Sequence, residues 1–473
     1  MNRSRDDVVV LGAGLAGLSA GHALAQAGLR VRVLERESAV GGLARTVAHG
    51  PFRFDLGGHR FFTQDETIEG LVRGLLGPEC LTVPRSSQIF LRNRYIDYPL
   101  SPLNAISGLG ATAALRVVLD YAWEKLRGRF GARGMVSLED WVVSHFGRSL
   151  FDLYFKEYSE KVWGIGCESI SMDWVAQRIG GLSLGAAVRN AFFRHGGQAA
   201  RTLANRFLYP SQGIGRIAER LREEIERENN EVLCNVEVSR IRHEDFRVRA
   251  VVVRRGSRDS AVDGRAFIST VPLTHLVRML DPPPPEEVLR AAAALRFRDL
   301  VIVAVTLNRR RATGQSWMYF PERRIPFGRI HEPTNWSARM APEGKTLLVA
   351  EQFCVRGDSV WTASDRELAE GTIRHLHGLG IISRQEVQDS AVLRIPEAYP
   401  LFHVGYREHR EAITGYLRRF RNLFPAGRGG TFSYHNMDQA MAAGREAAGR
   451  FLAGGVQGQD GCEWDGLAAR QSA

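Results

Sequence analysis

The sequence predicts an α/β fold that begins with a dinucleotide-binding βαβ unit, and three observations carry the prediction. Residues 8–11 (Val-Val-Val-Leu) form an apolar strand that runs straight into Gly12-Ala13-Gly14-Leu15-Ala16-Gly17. A helix-like stretch follows and leads to a second short apolar strand, residues 31–34. That strand ends on an acid, Glu35. The glycines Gly12, Gly14 and Gly17 permit a tight turn, let backbone approach a pyrophosphate and seat its charge on a helix N-terminus. Glu35 stands about 20 residues on, where a carboxylate accepts hydrogen bonds from a ribose hydroxyl pair.

A second glycine pair, Gly41-Gly42, follows with Leu43-Ala44-Arg45-Thr46. This extension resembles that of flavoproteins of the glutathione-reductase type, and the resemblance implies FAD rather than NAD, with Gly42 and Arg45 at the cofactor.

At 473 residues the chain predicts two or three domains, on a prior of about 150 residues each. A hydrophobic fraction of 44% is ordinary for a globular core. The formal charge of +11 comes almost entirely from arginine, since only Lys125, Lys156, Lys161 and Lys345 are lysines. The basic residues are scattered and no nucleic-acid motif appears, so a nucleic-acid partner is not expected. Five widely spaced cysteines include no Cys-x-x-Cys pair, so neither a metal site nor a dithiol centre is indicated. Isolated cysteines fit a reducing, cytoplasmic location. The N-terminus runs directly into the nucleotide strand, with no signal peptide expected. No apolar run approaches about 18 residues, so no spanning helix is predicted. Helical amphipathicity over residues 112–127 leaves peripheral membrane contact open, with a bundle-core face as the simpler reading.

The pattern predicts a discontinuous FAD-binding domain from residues 1–63, 205–280 and 395–455. A helical insertion is expected over 100–204, with helical spacing at 112–127, 138–145 and 150–161. Residues 64–99 and 286–394 read as a β-sheet substrate domain. The strand-like run 266–272 suits a return to the nucleotide sheet, and Asp281 with the prolines 282–285 marks a boundary. Residues 393–452 read as a loop and a last helix, and the composition of 456–473 predicts disorder.

Beyond the glycine fingerprint, further motifs make the resemblance specific. Asp55-Leu56-Gly57-Gly58-His59, Tyr158-Ser159-Glu160-Lys161-Val162-Trp163, Trp174-Val175-Ala176-Gln177-Arg178, Trp317-Met318-Tyr319-Phe320-Pro321 and Gly427-Arg428 to Ala440 resemble the UDP-galactopyranose mutase family, within the larger amine-oxidase and protoporphyrinogen-oxidase group. The similarity runs from Val8 to about Ala448. It implies that Gly57, Gly58 and His59 lie against the flavin ring, and that Val238, Arg428, Met437 and Asp438 also contact the cofactor. It further implies a substrate pocket of Trp163, Arg178, Trp317, Tyr319, Arg329, Tyr399, Tyr434 and Asn436, with Arg178 and Arg329 clamping a diphosphate. Asn436 replaces a usual aspartate and Gly328 a usual larger residue, which leaves the identity of the sugar open.

The activity implied is a flavin-dependent isomerase that converts a nucleotide-linked pyranose to its furanose. Reduced FAD N5 would be the nucleophile at the anomeric carbon, with His59, Arg178 and Arg329 assisting. NAD(P)H is open as external reductant, a nucleotide sugar is the expected small-molecule partner, and a homodimer is left open. The alternative is an FAD-dependent oxidoreductase of the amine-oxidase or protoporphyrinogen-oxidase type, acting on an amine, a tetrapyrrole or a lipid-linked intermediate. An apolar substrate would not need the arginine and aromatic set at Trp163, Arg178, Trp317, Tyr319 and Arg329.

Overall fold

The computed structural model describes residues 6–98, 111–127, 134–179 and 206–454. Its first sheet has eight strands among the described residues. The strand Asp6–Leu11 is fully buried over Val8 to Leu11 and pairs in parallel with Val31–Leu34 on one side and with Arg258–Ser269 on the other. Burial on both faces is why this strand is a continuous apolar run instead of an alternating one. The strand Arg258–Ser269 does two jobs. Its first half pairs antiparallel with Arg247–Arg255, and its second half lies parallel to the nucleotide strand, as the run 266–272 predicts.

A seven-stranded sheet stands beside it, ordered from Val387–Pro400 through Phe297–Leu307, Thr346–Cys354, Arg329–His331, Trp317–Tyr319 and Ser87–Leu91 to Arg94–Asp97. Its middle strands, Phe297–Leu307 and Thr346–Cys354, are apolar nearly throughout, yet each carries buried charge: Arg298 and Asp299 in one, Glu351 in the other. Helices Leu138–Phe146, Lys156–Trp163 and Met172–Ile179 pack into an apolar cluster shared with Leu401, Phe402 and Tyr434.

The structure departs from the expected elements near the end of the chain. Residues 387–400 form a strand that runs through the expected boundary at 394, and Tyr406–Leu417 is a further helix where a loop is expected. The strand hides its identity because Pro396 interrupts it, and it tolerates that proline at a register irregularity opposite Arg298 and Leu300. Residues 180–205 of the expected insertion and the expected tail lie outside the described residues. Among the described residues no helix is long and apolar enough to cross a membrane.

Candidate active site

The cofactor side is built from backbone. Gly12 has φ +102°, and a Cβ there would fall 2.3 Å from Thr270 Oγ1. A Cβ on Gly17 would fall 2.0 Å from the Gly12 carbonyl oxygen, so turn and helix Leu15–Gln26 meet backbone to backbone. Gly14 differs from both, because a Cβ there meets nothing within 4 Å. It caps the helix without any side-chain hydrogen bond, which leaves open space before uncapped N–H groups. Glu35 is buried and accepts from Ala13 N–H at 2.7 Å and Glu37 N–H at 2.9 Å, holding the turn to the second strand.

The second glycine pair closes onto the first. Gly41 N–H donates to Ala13 O at 2.8 Å, and a Cβ on Gly42 would lie 3.3 Å from Gly14 Cα. Arg45 lies 3.8 Å from Glu37, with its Nε buried and without an acceptor among the described residues. Helix Met437–Gly454 crosses the first helix so closely that a Cβ on Gly444 would fall 2.0 Å from Ala16 O. At the start of that helix, Asn436 N–H is tied to Gln439 Oε1 at 2.9 Å. Asp438 is turned inward, its Oδ1 is buried without a partner, and burial raises its pKa. Met437 packs on the neighbouring apolar cluster. Val238 lies in a different cluster, on strand Glu237–Glu244, two residues beyond Val236, whose N–H binds Glu35 O at 2.8 Å. An open glycine cradle, a helix start without a side-chain cap and an orphaned arginine N–H fit a dinucleotide pyrophosphate.

The opposite side is built from buried charge. Gly57 (φ +141°) and Gly58 sit directly on the ion pair of Arg329 and Glu351. Gly58 N–H donates to Glu351 Oε1 at 2.9 Å, and Arg329 Nε donates to the same oxygen at 2.8 Å. A Cβ on Gly58 would lie 3.5 Å from Arg329 Cζ. Burial pushes the Glu351 carboxyl up, but Arg329 and His331 pull it down to about 2. Burial also drives His59 down to about 3, with Arg428 and Arg329 adding to the effect against Glu351. His59 is therefore a neutral imidazole at neutral pH, and its Nδ1 is buried without a partner among the described residues.

Aromatic rings line the space around this loop. Tyr399 and Tyr434 stack at 5.9 Å and 13°, and the Arg428 guanidinium carbon lies 5.4 and 5.2 Å from their centroids. Arg428 also donates to the His435 and Ala398 carbonyls. Trp163, only 2% exposed, stands edge-on to Trp174, Tyr399 and Tyr434. Its indole N–H and that of Trp174 lack acceptors among the described residues. Tyr319 stands edge-on to Tyr98 and Tyr158. Position 178 follows Trp174 by four residues on helix Met172–Ile179, about one turn, and its side chain lies outside the described residues. Gly328 is small because a Cβ there would fall 2.8 Å from the Phe353 ring.

Three residues that sequence reasoning missed organise this side. Glu351 anchors both Gly58 and Arg329, and a carboxylate in the apolar run Thr346–Cys354 is the signal that could have revealed it. Lys161 Nζ donates to Phe320, Glu322 and Phe327 carbonyls at 2.7, 3.0 and 2.7 Å, fastening the turn before Arg329 to the helix that carries Tyr158 and Trp163. Burial lowers its pKa to about 7 despite Glu157 and Glu322. Asp55, fully buried, accepts from Thr46 Oγ1 at 2.6 Å, Tyr209 OH at 2.6 Å and Ile214 N–H at 3.1 Å. It thereby joins the histidine loop to the segment after strand Arg206–Pro210.

The model of the flavin-containing amine oxidoreductase family matches residues 15–452, nearly the whole chain. The chain belongs to that family. It is therefore an FAD-dependent flavoprotein by family, with the α/β architecture expected from its sequence. It is 24% identical over 208 residues to protoporphyrinogen oxidase 2 of Arabidopsis thaliana, a match spanning 41% of each chain. Among solved structures it is similar to a reduced UDP-galactopyranose mutase, with a TM-score of 0.82 and 22% identity, covering 94% of this chain and 95% of that one. It is also similar to cyclohexylamine oxidase from Brevibacterium oxydans IH-35A, with a TM-score of 0.63, 16% identity, and coverage of 94% and 98%. At these identities the structural likenesses establish the fold.

Proposed function

We propose that this flavoprotein isomerises the sugar of a nucleotide-linked pyranose, converting it to the furanose. The observation that carries the reading is the wall around the histidine loop: the unpaired charge of Arg428 on the phenols Tyr399 and Tyr434, beside the Arg329–Glu351 ion pair at Gly58. An ammonium substrate would be repelled by Arg428, which has no ion-pair partner among the described residues, and an apolar one would leave that charge uncompensated. A diphosphate ester suits both. The fold-level likeness to a UDP-galactopyranose mutase supports the same reading.

When bound, reduced FAD supplies the electron pair that an anomeric carbon accepts as its diphosphate leaves. The chain's own residues would prepare that exchange. Glu351 keeps Arg329 charged and fixed, so its remaining N–H capacity offsets charge gathering on the departing phosphates. The Tyr399 phenol is held protonated by burial and can donate a hydrogen bond to phosphate oxygen. Neutral His59 can bond near the flavin edge without adding a competing cation. Arg178 would close on the diphosphate from its helix, and Trp163 with Trp174 would exclude water. Gly12, Gly14, Gly17, Glu35, Gly42 and Arg45 would hold FAD.

The test is to incubate photoreduced enzyme anaerobically with UDP-galactose and separate the products by chromatography. The furanose isomer should appear without net consumption of reductant. No isomer with reduced enzyme, together with oxygen uptake by oxidised enzyme on an amine or tetrapyrrole, would refute the reading. That second outcome belongs to the oxidoreductase reading, which the sequence similarity to a protoporphyrinogen oxidase favours.

A further inference from the structure

We propose that Arg85, together with Arg60, forms an oxyanion-binding subsite at one end of the aromatic wall, where the substrate carries a carboxylate or phosphoryl group. The Arg85 guanidinium carbon lies 5.2 Å from the Tyr98 ring centroid and 5.4 Å from that of Trp317. Arg60, the residue after His59, places its guanidinium carbon 5.2 Å from the same Trp317 ring. Two cations thus share one indole. Arg85 Nε and Nη1 are sealed from solvent and have no hydrogen-bond partner among the described residues. Trp317 is 3% exposed, and its indole N–H likewise lacks an acceptor.

Guanidinium donors sealed from water without an acceptor are costly, and Nε and Nη1 of Arg85 are two such donors. The ring contacts satisfy the face of the guanidinium and leave Nε and Nη1 unused. A planar or tetrahedral oxyanion relieves part of this cost, because two of its oxygens match one edge of the guanidinium, Nη2 together with either Nε or Nη1. The position is also rigid. Ser86 N–H donates to Ser316 Oγ at 3.1 Å, and Ser316 N–H returns to Ser86 O at 2.6 Å, so the turn carrying Arg85 is stitched to the strand carrying Trp317. Tyr98 then meets Tyr319, and Tyr319 meets Tyr158, so the subsite continues the wall already described. The inference rests on reading that wall as the substrate wall. It does not depend on whether the reaction is isomerisation or oxidation.

The experiment titrates flavin-loaded enzyme with inorganic phosphate and, separately, with acetate, followed by calorimetry and tryptophan fluorescence. At least one probe should bind the wild-type protein and change its fluorescence, and the tighter of the two names the group. Arg85→Gln should weaken that probe about tenfold or more at unchanged flavin content and melting temperature. Arg85→Lys, which keeps the charge and loses the fork, should fall between. The fluorescence change should disappear in Trp317→Phe. Binding by Arg85→Gln equal to wild type, or binding of neither probe to wild type, overturns the subsite. Absence of furanose product leaves these results untouched, so the two readings fail separately.

Discussion

The two sides of the candidate site solve the same problem, close approach to a bound molecule, with opposite materials. On the nucleotide side backbone does the work: three glycines, one helix start and one carboxylate that ties strand to turn. Beside the histidine loop, side chains crowd behind Gly57 and Gly58, and a buried ion pair supports them. The first side is shape, which a single methyl group would spoil. The second is balance, which a single charge would spoil.

The sharpest way to break this comparison is at the first turn. Gly17→Ala places a Cβ against the Gly12 carbonyl, so purified protein should lack flavin absorbance and lose about 1–3 kcal/mol of stability by thermal or urea unfolding. Gly14→Ala, where the space is open, should unfold like wild type while binding flavin more weakly; equal losses in both variants would contradict the cradle. Glu351→Gln should leave the flavin cradle intact but cost more in stability, about 3–5 kcal/mol in urea unfolding, because it strands a buried Arg329. A loss below about 1 kcal/mol would mean that the pair is solvated.

The pH dependence sharpens the charge side. Burial raises the Asp55 carboxyl to about 6, so its contribution is present below the unfolded value of 3.8 and is lost as pH rises toward 6. His59, lowered to about 3, has the opposite sign: between pH 6.5 and 3 the unfolded chain takes up its proton first, so stability falls as pH falls. The two offset each other between about pH 4 and 6. Asp55→Asn should therefore steepen acid destabilisation across that window, by about 3 kcal/mol at most. An unchanged slope would place the Asp55 pKa near its ordinary value. The smallest expected effect is Gly328→Ala, about 1–2 kcal/mol from the Phe353 ring giving way, read as a lower melting temperature.

The legible part of this molecule divides along the same line. The nucleotide unit is written locally: Gly12, Gly14, Gly17, Glu35 and Gly42 lie within about thirty residues and declare their spacing. Glu351, Gly58 and Arg329 meet only because strands from separate parts of the chain pair, and no local pattern announces such a meeting. Arg85 was hidden in the same way, since its neighbours Trp317 and Arg60 are far off in sequence. The strand Val387–Pro400 was concealed by its own irregularity, for Glu397 sits at φ +55° and its N–H is taken up by Asp299 at 2.7 Å.

Lys161 has a consequence for anyone who would re-engineer this pocket. One ammonium group rivets three peptide oxygens of the segment that delivers Arg329. That segment cannot be exchanged as a free cassette: a transplanted loop must keep the same three carbonyls within reach, or bring its own fastening. Library designs that randomise residues 320–328 while sparing that lysine should retain far more folded members than designs that include it.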